Sequence, residues 1–152
     1  MYSQNNKCEQ YREVGCNTAD KGKLLMMLFD GCLNFLNLTQ EGFAEKDWQK
    51  SGKYIQKSQA IISEFINTLD YKHGGDLPKK LASLYEFMLF YLTEANLEKS
   101  PSKVGKVIEI LSKIAEGYRE IIEINKVTDN SQIKNSQVQP DTLNGQLLNS
   151  SC

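Results

Sequence analysis

The sequence predicts an all-α fold: an antiparallel up-down four-helix bundle with a short N-terminal arm and a disordered C-terminal tail. Four segments of about 20 to 24 residues place apolar side chains three and four positions apart, which is the period of an amphipathic helix. Short stretches containing glycine, proline, serine or aspartate separate these segments, and short connections favour antiparallel neighbours in bundles. Alternation of apolar and polar residues, which would indicate β-strands, is nowhere sustained.

Composition divides the chain into three parts. Residues 1–17 form a mostly polar arm, and residues 18–126 contain the four helical segments. Residues 127–152 are rich in Asn, Gln and Ser and poor in large apolar side chains. Such a segment buries too little apolar surface to offset the entropy lost on ordering, so we expect it to be disordered.

The first helix has more apolar surface than one core requires. It is predicted to begin at Asp20, a suitable N-cap, and to end near Gly42. Within segment 24–38 the polar residues occupy a narrow sector, which leaves an apolar arc of roughly 260°. Those polar residues are Asp30, Asn34 and Asn37. A helix that packs on one side of a small core needs an arc of only about 100°.

The fourth helix is a conventional amphipathic helix, whereas the apolar stripe of the second widens because Tyr54 and Ile61 lie to one flank of it. Asp47 is the predicted cap of the second helix, Asp76 of the third and Ser100 of the fourth, which has Pro101 at its first position. The stripe of the second helix comprises Trp48, Ile55, Ile62, Phe65, Ile66 and Leu69. The stripe of the fourth comprises Val104, Val107, Ile108, Leu111, Ile114, Ala115, Tyr118, Ile121 and Ile122.

The third helix contains the most informative segment of the chain, LYEFMLFYL at residues 84–92, whose single charge is Glu86. Between Leu77 and Ala95 the apolar arc covers roughly 200°, and Phe90 falls on the polar side. The surplus apolar surface must be covered by more of this chain, by a second copy or by a partner. The residues alone favour self-association and partner binding equally.

Charge and hydropathy exclude several kinds of partner. The net charge is -1 and the only arginines are Arg12 and Arg119, which gives no basic surface for nucleic acid. No stretch approaches the ~20 uninterrupted apolar residues of a membrane-spanning helix, and the polar N-terminus lacks the apolar core of a signal peptide. The four cysteines form no CxxC pair and are expected to be reduced thiols. We therefore expect a cytoplasmic protein that is not inserted into a membrane.

Residues that carry catalysis or bind metals are scarce. The only histidine, His73, lies in a glycine-containing loop and not on a helix face. The sequence lacks the Glu-x-x-His pairs of metal-binding bundles, a glycine-rich phosphate loop and a nucleophile elbow. It therefore predicts no enzyme activity, no catalytic or metal-binding residue, no cofactor and no small-molecule substrate.

Several motifs occur in the order in which one protein family has them. The first group is Tyr11-x-x-Val14, Thr18-Ala19-Asp20, Leu24 and Leu28-Phe29-Asp30-Gly31. The second group is Leu69-Asp70, Gly74-Gly75-Asp76, Leu81, Leu84-Tyr85, Phe87-Met88, Leu92 and Ala95-Asn96. Over roughly residues 8 to 125, this ordered set resembles the FliS family of flagellin export chaperones. Phe29 departs from the family pattern, because the family has a tyrosine in its Leu-Tyr-Asp-Gly motif.

The resemblance implies a cytosolic chaperone that holds the C-terminal segment of flagellin in apolar grooves. It would prevent premature polymerisation and aid delivery to the flagellar export gate. The flagellin segment would wrap the bundle and fold into short helices, an extended form of helix-in-groove recognition. The candidate flagellin-binding residues are Tyr11, Val14, Leu24, Leu28, Phe29, Leu84, Tyr85, Phe87 and Met88. Phe87 is the sharpest candidate, because it lies about 100° from Met88 at the edge of the apolar stripe.

Two alternatives belong to other functional classes. In a homo-oligomeric structural or adaptor protein, such as a homodimer, a second copy would cover the first and third helices. A helical-bundle enzyme or metal protein would need ligands and catalytic groups that the sequence does not contain. The ordered motifs favour the chaperone.

Overall fold

A computed structural model describes the chain from residue 18 to residue 149, with side chains described from residue 20 to residue 133. The helices are α1 Thr18–Ala44, α2 Trp48–Asn67, α3 Leu77–Glu98 and α4 Pro101–Asn149. No strand occurs in this part of the chain, and the predicted all-α class with four helices is confirmed.

One compact unit spans Lys23–Glu116 and contains most of the four helices. Within it, polar contacts join each helix to the next and the last to the first. They run from Cys32 to Ser58 (3.7 Å), Gln59 to Thr93 (2.9 Å), Lys103 to Glu94 (2.8 Å) and Gln40 to Pro101 (2.8 Å). The short connections make neighbouring helices antiparallel, as the loop lengths predict.

The helix starts follow the predicted caps with two differences. An Asp47 carboxylate oxygen accepts the backbone N–H three residues on at 3.0 Å, and the Ser100 hydroxyl does the same at 3.4 Å. Asp76 is the N-cap residue of α3, but its φ of -84° and ψ of -16° are already helical, so its side chain makes no capping hydrogen bond. Asp20 is not a cap, because α1 begins at Thr18; its carboxylate lies in the first turn, where it stabilises the helix dipole.

The turn between α1 and α2 brings two backbones unusually close. Gly42 is buried, and a Cβ atom at this position would lie 2.8 Å from the backbone nitrogen of Ser51. The turn closes through Lys46, which has a left-handed φ of 56°, and through the N–H of Asp47, which donates to the Gly42 carbonyl at 2.8 Å. The absence of a side chain at residue 42 therefore permits this helix approach.

The core of the unit is built around an aromatic stack that joins three helices. The ring centroids of Phe29 and Phe65 are 4.3 Å apart, and those of Phe65 and Tyr85 are 5.5 Å apart. Each fully buried side chain of this size contributes about 1.5–3 kcal/mol to folding. The other buried apolar residues are Cys32, Leu36, Phe43, Ile55, Ile62, Met88, Leu92, Ala95, Val104, Val107, Leu111 and Ala115.

The buried face of α2 differs from the predicted stripe. Ser51 and Ser58 are fully buried, and their hydroxyls donate to backbone carbonyls of the same helix at 3.1 and 2.9 Å. Trp48, predicted in the buried stripe, is exposed; its ring lies 6.2 Å from that of Phe43 and 5.4 Å from the ammonium of Lys99. Small residues at the two serine positions let α1 pack closely against α2.

The second compact unit contains the described residues up to Gly22 and from Gly117 onwards. Here α1 and α4 are in contact, since a Cβ atom on Gly22 would lie 3.3 Å from the side chain of Ile122. Further along α4, Ile124 and Val127 are exposed to solvent.

The structure describes α4 as far as Asn149, and the disorder that the sequence predicts from residue 127 stays a prediction. The polar side chains here satisfy local bonds: the Thr128 and Ser131 hydroxyls donate to carbonyls four residues earlier at 3.0 and 2.8 Å. Asn, Gln, Lys and Ser cost a helix only a few tenths of a kcal/mol each, so composition alone does not end it. Residues 123–133 are all exposed, which means that this stretch is held by backbone hydrogen bonds and adds nothing to the core.

Candidate partner-binding surfaces

Three of the candidate binding residues belong to the core. Phe29 and Met88 are 0% exposed and Tyr85 is 1% exposed. A partner on the surface cannot contact these side chains while the helices keep this packing. Phe29, Tyr85 and Met88 are therefore corrected from binding candidates to core residues, because each points from the centre of a wide apolar arc into the bundle.

Two candidates on α3 are exposed and continue into a strip. Leu84 and Phe87 are 40% and 43% exposed. The Phe87 ring stacks on Tyr91 with centroids 4.9 Å apart, and spacings of three and four residues place all three side chains on one face. We call Leu84, Phe87 and Tyr91 the α3 strip.

Three charged side chains at one edge of the α3 strip are paired with one another. The Lys103 ammonium lies 5.1 Å from the Tyr91 ring centroid and pairs with Glu94 at 2.8 Å and Glu98 at 3.1 Å. Hydrogen bonds to Glu94 and Glu98 raise the pKa of Lys103. With two carboxylates around one ammonium group, this edge of the strip carries a net negative charge.

The remaining candidates on α1 line a groove with α2. Leu24 is 40% exposed and Leu28 is half-buried. Phe35, seven residues after Leu28 and so on the same face of α1, stacks on Tyr54 of α2 with centroids 5.7 Å apart. Ile61 lies seven residues after Tyr54 and is also half-buried. We call these five residues the α1–α2 groove.

The sequence-based candidates did not include Phe35, Tyr54 and Tyr91. Each has a simple signal in the sequence. Phe35 and Tyr91 lie seven residues after the candidates Leu28 and Leu84, so they extend the same helix faces. Tyr54 widens the apolar stripe of the second helix in the sequence, but its pairing with Phe35 depends on the fold.

A separate apolar pair lies on the outer face of α3. Phe90, which the sequence places on the polar side, is 62% exposed, and Leu97 seven residues later is exposed as well. Phe90 lies three residues after Phe87, so the pair borders the α3 strip on its solvent side.

Tyr11 and Val14 lie outside the residues that the structure describes, as does the whole predicted arm. Their candidacy as binding residues stays a prediction.

The described titratable groups offer no assembled reactive centre. Burial raises the pKa of the Cys32 thiol to about 12, which keeps it protonated, and the thiol donates to the Ser58 carbonyl at 3.7 Å. His73 pairs with Asp70 at 3.0 Å on the exposed loop, and hydrogen bonds from His73 lower the pKa of Asp70. Among the described residues, no three His, Cys, Asp or Glu side chains are grouped to hold a metal ion. None of the helices in that part of the chain has the length and apolar character needed to cross a membrane.

The exposed surfaces are therefore suited to covering apolar side chains of another segment. Both the α1–α2 groove and the α3 strip combine aliphatic and aromatic groups on rigid helices, as helix-in-groove sites do. The groove is formed between α1 and α2, whereas the strip lies on α3 beside Lys103 of α4.

Comparisons with known proteins agree with this arrangement. The family described as "Flagellar protein FliS" matches residues 4–125. A crystal structure of a bacterial flagellar chaperone superposes with a TM-score of 0.63 at 16% identity, covering 76% of this chain and 97% of that chain. At that identity the superposition establishes a shared fold.

This chain matches its curated relatives over most of their length. The flagellar secretion chaperone FliS of Campylobacter jejuni is 32% identical over 99 residues, 65% of this chain and 77% of that protein. The protein of the same name from Bacillus subtilis is 25% identical over 78% of this chain and 87% of its own length. The Salmonella typhimurium protein is 30% identical over 72% of this chain and 82% of its own length. The resemblance predicted from the motifs is confirmed, and the chain belongs to the FliS family of flagellar proteins.

Proposed function

We propose that this chain is a cytosolic export chaperone that binds the C-terminal segment of flagellin. By covering that segment it would prevent premature polymerisation and aid delivery to the flagellar export gate. Membership of the FliS family and the names of the curated relatives, flagellar secretion chaperones, support this role.

The observation that carries the proposal is the pair of exposed apolar surfaces on different helices. Both the α1–α2 groove and the α3 strip have apolar side chains that the core leaves partly exposed. A compact domain could cover one of them, but a segment that contacts both must extend around the bundle. An extended, largely disordered chain that folds on binding is the natural occupant of such divided surfaces.

The energetics require several contacts. Covering the exposed part of a side chain such as Leu24, Leu84 or Phe87 contributes about 1–2 kcal/mol. Ordering a disordered segment costs about 2–5 kcal/mol or more. A single surface would therefore give weak binding, whereas the groove and the strip together give useful affinity. No nucleotide is needed, because binding and release follow mass action.

Calorimetry with the C-terminal segment of the cognate flagellin tests the proposal. We expect the C-terminal segment to bind the full-length protein saturably. The N-terminal segment of the same flagellin serves as the control and should not bind. We also expect the chaperone to delay polymerisation of intact flagellin. Equal binding of both segments, or no binding, would reject the proposal.

A homo-oligomeric adaptor is the second candidate, and the outer face of α3 favours it. Phe90 and Leu97 are among the most exposed large apolar residues of the described part. Light scattering on the purified protein, alone and with flagellin, separates the two functions. A stable oligomer that does not bind flagellin would support the adaptor.

A further inference from the structure

Two lysines lie above the aromatic part of the α1–α2 groove. The ammonium groups of Lys53 and Lys57 are 5.4 and 5.7 Å from the centroid of the Tyr54 ring, and that of Lys57 is also 5.3 Å from the Phe35 ring. Such cation–π contacts contribute about 0.5–1 kcal/mol at exposed sites. They hold two positive charges at the rim of the groove.

These two lysines combine contact with the aromatic rings of the groove and the lack of a carboxylate partner. Among the described residues, neither Lys53 nor Lys57 has a carboxylate oxygen within the 4 Å of an ion pair. Four other lysines are paired with neighbours: the pairs are Lys50–Glu45, Lys103–Glu94, Lys106–Glu109 and Lys113–Glu109. The next acidic residue on the lysine face of α2 is Glu64, two turns beyond Lys57. Positive charge without a carboxylate partner therefore lies beside Phe35 and Tyr54 of the groove.

The groove has room for a backbone and for acidic side chains at this point. A Cβ atom on Gly31, one turn before Phe35, would meet no atom within 4 Å, so a bound segment can approach the α1 backbone there. Beside Lys53, an open depression of about 320 Å³ is lined by Asp47, Gln49, Lys50, Lys53 and Tyr54. The Asp47 carboxylate in this depression already accepts a backbone N–H as the helix cap, and Lys50 is paired with Glu45. Lys53 is therefore the group in this depression that can pair with a new anion.

We propose that the α1–α2 groove binds an acidic amphipathic segment of the partner. Its apolar side chains contact Leu28, Phe35 and Ile61, and its carboxylates, three or four positions away, pair with Lys53 and Lys57. The α3 strip, whose edge carries Glu94 and Glu98 around Lys103, favours a neutral or basic segment instead. The two surfaces would thereby fix the direction in which a client wraps the bundle. This inference rests on the proposed function and adds the chemistry of the bound segment.

Synthetic amphipathic peptides of about 20 residues test the charge requirement directly. The probe has leucines at helical spacing and flanking glutamates, and two matched peptides have glutamine or lysine at the flanking positions. We expect the full-length protein to bind the glutamate probe most tightly in calorimetry. Its advantage should disappear when NaCl is raised from about 0.05 to about 0.5 M, because the Debye length then falls to a few ångströms.

Substitutions locate the effect. Replacing both lysines, Lys53→Gln with Lys57→Gln, should weaken binding of the glutamate probe about fivefold, equivalent to about 1 kcal/mol for two exposed pairs. The arginine versions of both substitutions should retain binding. The control, Lys106→Gln with Lys113→Gln on α4, makes the same change in net charge and should leave the affinity unaltered.

The outcomes separate this inference from the proposed function. Equal affinity for the three peptides, or equal losses in the two glutamine variants, would overturn the inference. It would also be overturned if ultracentrifugation showed that a second copy of the chain occupies the groove and is released by the lysine substitutions. Flagellin binding that survives in the Lys53→Gln, Lys57→Gln variant would leave the chaperone role intact while the inference fails. Preference for the glutamate probe without flagellin binding would support the inference about the groove and contradict the chaperone role.

Discussion

Replacement of Phe87 by aspartate should weaken flagellin binding with little effect on the fold. The side chain is 43% exposed, and a whole phenylalanine buries roughly 200 Å², so about 85 Å² is available to a partner. At about 25 cal/mol per Å², covering this area contributes about 2 kcal/mol. Losing it corresponds to a weakening of about 30-fold, before any cost of burying the new carboxylate.

Calorimetry with the flagellin C-terminal segment measures this loss, and circular dichroism checks the helices. Tyr71→Asp is the matched control: it replaces another aromatic side chain, 50% exposed, in the loop before α3 and outside both apolar surfaces. We expect Tyr71→Asp to bind the client like the parent protein. Equal affinities for Phe87→Asp and the parent protein would refute the reasoning, as would a Phe87→Asp variant that is unfolded.

Three further changes test other parts of the structure. Deletion of residues 127–152 should lower the melting temperature by no more than a few degrees and retain flagellin binding, because residues 127–133 are exposed; a larger drop would show that the segment docks. Gly42→Ala should destabilise the fold by about 1–3 kcal/mol in urea unfolding, since the new Cβ atom would lie 2.8 Å from the Ser51 nitrogen; an unchanged midpoint would contradict this close approach. With the other three cysteines replaced by serine, Cys32 should resist a thiol reagent at pH 8 in the folded protein and react after unfolding. Because its pKa rises from an ordinary 9.0 to about 12 in the folded state, the protein should lose stability as the pH rises from 9 towards 12, by on the order of 1 kcal/mol at pH 10 relative to a Cys32→Ala variant.

The helices and two of their caps could be predicted because they depend on local chemistry. Asp47 and Ser100 cap helices through their own side chains, and these residue types prefer that position in any fold. Asp20 failed as a cap because helix ends shift by one or two residues without a change in composition.

The division between core and surface could be predicted only in part. Phe90 was placed correctly, because it lies on the side of the helix opposite the buried residues Met88, Leu92 and Ala95. Met88 lies near the centre of the wide apolar arc of α3 and Phe87 at its edge, and how much of this arc is buried depends on where α2 and α4 pack. Ser51 and Ser58 are buried against expectation, because their hydroxyls bond within α2 and so enter the core without an unsatisfied group.

The exposed position of Trp48 has a practical consequence. It is the only tryptophan of the chain, and it touches Phe43 at the end of α1 and Lys99 at the end of α3. Its fluorescence therefore reports on one end of the bundle, where three helix termini meet. Phe87 is twelve residues from Lys99, about 18 Å along α3. A client held only at the α3 strip would leave the emission of Trp48 unchanged, whereas one that continues over this end of the bundle would alter it. Intrinsic tryptophan fluorescence therefore reports how far a bound segment extends.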